Sequence, residues 1–301
     1  MRLLFLVLSC SLSFAATSAQ QASPASPTAE TIMAQVAANQ DQSVAERAHY
    51  LYVQHARVSS RKGKQIRCEE ITDTRITPTP TGSQQQLLKM DGHLLVKHQL
   101  VAYTQLPNAK DVGSSNIQAD DNHKSITIDD DDTMDRDLVE NMRNNLTNTK
   151  SKDGIGAGLF PLTSKTQAEY RFQLLGREHL NGREVFHLTF LPKDKEDFGW
   201  KGDAYIDTTA YQPVLVRTTM SRKIPFAVRT LLGTSLPNLG FTAIYAPQRG
   251  GVWFPVSFGT EFKLHVLFFI NREIVMSVEN REFEKTHVTS TILPVDMPQK
   301  Q

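Results

Sequence analysis

The sequence predicts a mainly β, α+β protein whose antiparallel sheet is curled, and three observations carry that prediction. From about residue 167 onward the chain is a succession of extended segments joined by short turns. Such neighbours pair antiparallel, because parallel strands need crossovers of a dozen residues or more. Helical periodicity is confined to the start, the middle and the interval 222–240. Lastly, 254-FPVSFGTEFKLHVLFFI-270 alternates for seventeen positions, and eight of the nine even positions are apolar. Alternate side chains of a strand point to opposite faces, so one face is greasy and the other mostly wet. At roughly 3.3 Å per residue this stretch would span about 55 Å. A globule of this size is only about 40 Å across. The strand must therefore break, bend or curl, with Gly259 as the expected bulge or bend.

The elements follow in order. Thr28 and Glu30 precede Ile32, Met33, Val36, Ala37 and Val44 at helical spacing, which predicts a first helix. LYVQHARVSS and IRCEEITDTRIT flank a polar turn at Arg61-Lys62-Gly63-Lys64 and read as a hairpin of 49–59 with 65–77. Within QQLLKMDGHLLVKHQL, Asp91-Gly92 marks another turn between two short strands. MDRDLVENMRNNL predicts a helix in the middle of the chain. AEYRFQLLGREHL turns at Asn181-Gly182 into REVFHLTFLP, GWKGDAYIDTT turns into QPVLVRTTMS, and FTAIYAP turns at Gln248–Gly251 into the long alternating strand. EIVMSVENREFEKTHV is the last strand, for a total of about ten or eleven.

The first residues set the compartment. Arg2, the apolar run LLFLVLSCSLSFAA and the small residues before Gln20 predict a signal peptide over 1–19, cut near Ala19. The run is shorter than the roughly 20 residues needed to span a bilayer. Val7-Leu8-Ser9-Cys10 loosely resembles a lipoprotein acylation site, but Leu8 fits it poorly, so lipidation of Cys10 is the lesser reading. Residues 20–29 form a Ser/Pro/Ala-rich linker. Without the leader only Cys68 remains, so no internal disulfide forms and core burial alone must stabilise the fold. The formal charge of +1 falls to 0 once Arg2 leaves, which gives no basic balance for nucleic acid.

Catalytic signatures are missing. There is no G-x-S-x-G, H-E-x-x-H, C-x-x-C or P-loop, and GIGAG at 154–158 lacks the strand and helix of a dinucleotide fingerprint. His93, His98, His179 and His187 are scattered, and read as surface residues. Glu69 and Glu70 are adjacent on a strand and face opposite ways. Between Asp120 and Asp137 eight Asp stand against Lys124 and Arg136, a local net of −6. A calcium loop needs alternating oxygen ligands, a Gly turn and a closing Glu. The consecutive acids here fit a solvated loop leading into the N-terminus of a helix instead. The expectation is therefore no catalytic residue, no metal and no cofactor.

The interval 222–240, RKIPFAVRTLLGTSLPNLG, interrupts the meander and reads either as an edge-capping helix or as a lid, with Phe226, Leu231 and Leu232 as lid residues. A lipid-facing β-barrel is disfavoured, because several strands alternate poorly and the chain ends without a closing aromatic.

The order of these pieces resembles the LolA/LolB-like superfamily of periplasmic lipoprotein carriers. The likeness lies in GREVFHLTFLP and GWKGDAYIDTTAYQPVLVRTT, where G-R-x-x-x-H-L-x-F precedes G-x-x-x-I-D and Y-x-P-V. It covers residues 160–292 best and 30–105 as a pattern. The resemblance implies a strongly curved antiparallel half-barrel sheet wrapping a few helices around an apolar cavity for acyl chains. The expected organisation is a single domain of this kind over 30–292 and a flexible tail at 293–301, with a polar acidic insertion at about 107–160 that departs from the family pattern. The resulting expectation is a secreted, periplasmic, non-enzymatic protein that binds lipid or an acylated lipoprotein, with peripheral membrane contact. Phe254, Val256, Phe258, Phe262, Leu264, Val266 and Phe268 would line its cavity. The alternative is a cell-envelope interaction or sensor protein, partnered by another envelope protein, whose concave face is filled by its own helices.

Overall fold

A computed structural model of the chain describes residues 26–79, 82–104, 131–146, 160–194, 199–221, 234–235, 239–266 and 270–286. The expected leader, the lid residues Phe226, Leu231 and Leu232, GIGAG and Phe268 lie outside them.

Thr28 opens the fold by capping α1 (Ala29–Arg47). Its side chain accepts the Thr31 N–H at 3.3 Å, which satisfies one of the donors a helix start leaves unpaired. Ile32, Met33 and Val36 recur on one face and are at most 1% exposed. Next come β1 (Tyr50–Lys62), β2 (Gln65–Thr79), β3 (Gly82–Val96) and β4 (Gln99–Tyr103). Then α2 (Asp131–Leu146) and the single turn α3 (Ser164–Gln167) precede β5 (Tyr170–Leu180), β6 (Arg183–Pro192), β7 (Trp200–Asp207) and β8 (Pro213–Met220). The two-residue β9 (Thr234–Ser235), β10 (Gly240–Pro247), β11 (Trp253–Val266) and β12 (Ile270–Lys285) complete the series.

All the strand pairings are antiparallel. The sheet runs β4-β3-β2-β1-β12-β11-β10-β8-β7-β6-β5, with β9 attached to β11. It is a half-barrel left open, its edges being β4 and β5. β1 and β12 pair along eleven positions and so join the first hairpins to the last. Inside the curve α1 packs against β5, α3 and β11, whereas α2 packs against β1, β2 and β3.

Asn181 and Gly182 have φ of 51° and 78° and form the expected turn between β5 and β6. Asp91-Gly92 does not form a turn. β3 runs straight through both residues, and the chain reverses instead at Lys97-His98, with φ of 47° and 69°. Tertiary packing explains why a glycine stands in mid-strand. A Cβ on Gly92 would lie 2.4 Å from Tyr103 Cζ, so the missing side chain is what lets the Tyr103 ring lie across β3.

The bend in β11 is also displaced from its expected position. Gly259 pairs regularly with Ser277 and Thr242. The register slips between Ile244 and Tyr245 of β10, opposite Ser257 and Pro255, which makes Val256 the extra residue of a bulge. A bulge bends and twists its strand.

Candidate functional site: the concave face and its two helices

The even-numbered residues of β11 do not form one uniform wall. Phe254 is 1% exposed and sits among Tyr50, Tyr52 and Phe283, with ring centroids 5.2, 6.4 and 4.6 Å away. Val256 is half-buried at the bulge. Phe258 joins the main core, stacked on Phe241 at 5.3 Å and edge-on to Phe160 at 6.5 Å. Phe262 and Leu264 form a separate small cluster with Ile274, against which Leu138 and Met142 of α2 pack together with Leu239. Val266 ends β11, its backbone paired with Ile270. On the opposite face Glu261 and Lys263 are exposed, as the alternation requires.

The two helices reach this face by different chemistry. α1 presents its buried aliphatic stripe, and amides and one guanidinium fix its C-terminal half. The Asn39 amide donates to the carbonyls of Ala210 and Tyr211 at 3.0 and 3.1 Å, and Gln40 donates to the side-chain oxygen of Gln212. Arg47, 1% exposed, donates through Nε to the Trp253 carbonyl at 2.7 Å and through a terminal nitrogen to Gln40 at 3.0 Å.

α2 carries charge into the same interior. Asp135, Leu138, Val139, Met142 and Arg143 are spaced as one stripe of a helix. Val139 is fully buried in its middle. At one end the carboxylate of Asp135, 1% exposed, accepts from Ser60 Oγ at 2.5 Å, from Arg272 at 2.7 and 3.0 Å, and from Arg67 at 3.3 Å. At the other end Arg143 lies 2.9 Å from Glu70, which also accepts the Tyr103 hydroxyl at 2.7 Å. Burial raises the pKa of Glu70, although Arg143 and the Tyr103 hydrogen bond pull it down. Burial also pushes the Cys68 thiol up to about 11, against the opposing effect of its hydrogen bond with the Tyr103 hydroxyl. The thiol therefore stays protonated and is a poor nucleophile.

Asp135 departs from the reading of the acidic run as solvated. The signal that could have separated it from its neighbours was the stripe itself, since Asp137 lies off that face and is exposed. Arg272, Arg67 and Ser60 gave no signal, because their partner is far away in sequence. Glu69 and Glu70 do face opposite ways: Glu69 pairs with Arg57 at 2.8 Å on the outside. His187, on the sheet, is held by Glu178 and Asp203 at 2.6 and 3.1 Å and stacks on Tyr205 at 4.4 Å. Among the described residues no group of three or more His, Cys, Asp or Glu could hold a metal ion. Nor is any described helix long and apolar enough to cross a membrane.

No family model and no curated protein matches the sequence. Solved structures do resemble the chain in shape. A LolA superfamily protein from Nitrosomonas europaea is one of them. It is 10% identical, with a TM-score of 0.35 over 88% of this chain and 96% of that one. A DUF1329 family protein from Desulfovibrio piger is 9% identical, with the same TM-score of 0.35 over 88% of this chain and 96% of its own.

Proposed function

We propose that this chain is a secreted, non-enzymatic binder of lipid or acyl chains in the cell envelope, working in the manner of a lipoprotein carrier. One observation supports this reading above the others. Phe262, Leu264 and Ile274 form an apolar patch on the concave face apart from the main core, and the α2 residues over it, Leu138 and Met142, are themselves only partly buried. Apolar burial at about 25 cal/mol per Å² would drive a chain onto such a surface once α2 moved aside. The cavity wall in this proposal is Phe254, Val256, Phe258, Phe262, Leu264, Val266 and Phe268, with Phe226, Leu231 and Leu232 as the lid.

The test is gentle purification followed by organic extraction and mass spectrometry. Lipid should co-purify with the wild-type protein and be absent from folded Phe258→Asp and Phe262→Asp variants. Retention of lipid by both folded variants would remove these residues from the wall. A wild-type protein that yields no lipid would favour the second reading, an envelope interaction protein with a filled concave face. The completeness of the contacts made by α1, whose Ile32, Met33 and Val36 are at most 1% exposed, speaks for that second reading.

A further inference from the structure

The polar end of the α2 seat has the chemistry of an anion site. Two guanidinium groups, of Arg272 and Arg67, and the Ser60 hydroxyl converge on the single carboxylate of Asp135. Arg272 meets both carboxylate oxygens with its fork, the arrangement by which arginine recognises carboxylates and phosphates. Ser60 and Arg272 are at most 4% exposed, and both are carried by strands of the sheet, not by α2. Two cations facing one carboxylate leave a local excess of positive charge at the floor of the concave face.

The anion site adjoins the apolar patch. Arg272 pairs across the β11–β12 ladder with Leu264, and Ser60 pairs with Ile274, which in turn pairs with Phe262. On α2 the same sequence of chemistry appears in mirror. Asp135 sits on the donors, and Leu138 and Met142, three and seven residues on, sit against Phe262, Leu264 and Ile274. The helix thus lays an acid followed by apolar side chains along a basic pocket followed by an apolar floor.

We infer that Arg272, Arg67 and Ser60 are the head-group site for an anionic amphiphile, and that Asp135 of α2 occupies this site as an internal substitute while the helix is seated. The inference deepens the proposed acyl-chain binding and rests on it. The ligand carries a carboxylate or phosphate head at the arginines and an aliphatic chain along Phe262, Leu264 and Ile274. Its arrival displaces Asp135, Leu138 and Met142 together. Arg143 and Glu70, held at the far end of α2, are exposed by the same movement and do not touch the head group.

The test uses the full mature chain and titrates oleate and oleyl alcohol, which share a chain and differ in head charge. Asp135→Asn removes the internal anion. Asp135→Asn/Arg272→Gln removes both members of the most buried ion pair, so that only Arg67, whose side chain is 18% exposed, is left without its carboxylate. Circular dichroism establishes that each variant is folded. Asp135→Asn should bind oleate about tenfold more tightly than wild type with a smaller change for oleyl alcohol, as expected when a charge-assisted contact becomes available. The double variant should lose that preference for oleate. Equal gains for both ligands in Asp135→Asn, or an undiminished oleate preference in the double variant, would overturn the head-group site while leaving chain binding intact. Absence of binding of either ligand to all three proteins would instead defeat the acyl-chain reading itself, and this inference with it.

Discussion

α1 and α2 lie inside the same curved sheet, yet their attachments differ in kind. α1 is held by an aliphatic stripe and by neutral hydrogen bonds to the β7–β8 turn, with one arginine on a backbone carbonyl. α2 buries Val139 fully, but at either end of its stripe it relies on opposite charges, Asp135 on Arg272 and Arg67 and Arg143 on Glu70. Apolar packing depends on fit, and removing part of it leaves a cavity. A buried ion pair, by contrast, is costly to break from one side but can be exchanged for another partner of the same charge. The first helix is held mainly by apolar packing, and the second by buried opposite charges as well.

This contrast can be broken by mutation. The largest effect is expected for Asp135→Ala, which leaves Arg272 buried without its carboxylate and should cost about 3–5 kcal/mol. Hydrogen exchange should show that loss in the amides of α2, with those of α1 unchanged. Equal loss in both helices would mean that they form one cooperative unit. Ile32→Ala should cost about 2–5 kcal/mol for the cavity it leaves. Its signature should be global, a lowered denaturant midpoint with α1 and the sheet weakened together.

Gly92→Ala sharpens the comparison on the α2 side. The new methyl meets the Tyr103 ring at 2.4 Å, so the ring must shift from its bond to Glu70. A cost of about 1–3 kcal/mol is expected, the ordinary range for overpacking. A drop in α2 protection without loss of the β3 amides would locate the effect. The smallest effect concerns pH. The folded pKa of Glu70 is raised above 4.5, first by burial, so the folded state binds this proton more tightly than the unfolded one. Its contribution to stability is present below the unfolded pKa and declines as pH rises through the folded value. Glu70→Gln should therefore gain on wild type as pH rises above 4.5, as measured by denaturant midpoints across that window. A constant difference would show that Arg143 and Tyr103 offset burial fully.

Much of the fold was legible in the chain because its determinants are local. Thr28 and the spacing of Ile32, Met33 and Val36 define α1 within a few turns, and Asn181-Gly182 defines the β5–β6 hairpin within two residues. The hairpin cue at Asp91-Gly92 misled because the same glycine serves a different purpose. It makes room for Tyr103, eleven residues later and one strand over. The seventeen-residue alternation correctly announced a bent strand, but Gly259, the residue most tolerant of a bend, is not where the bend occurs. Register with β10 sets the bulge at Val256. That bulge lies between Phe254, packed among aromatic rings, and Phe258 in the main core.

By itself the sequence determined the antiparallel class, the positions of α1 and α2 and the greasy face of β11, since periodicity, caps and turn residues act over a few neighbours. Only the tertiary structure decided what that face meets. Asp135 and Arg272 stand 137 positions apart, and nothing near either one indicates the other. They meet because β1 pairs with β12 and brings Ser60 beside the strand that carries Arg272. Charge complementarity over such a separation depends on the sheet order, which no local pattern encodes.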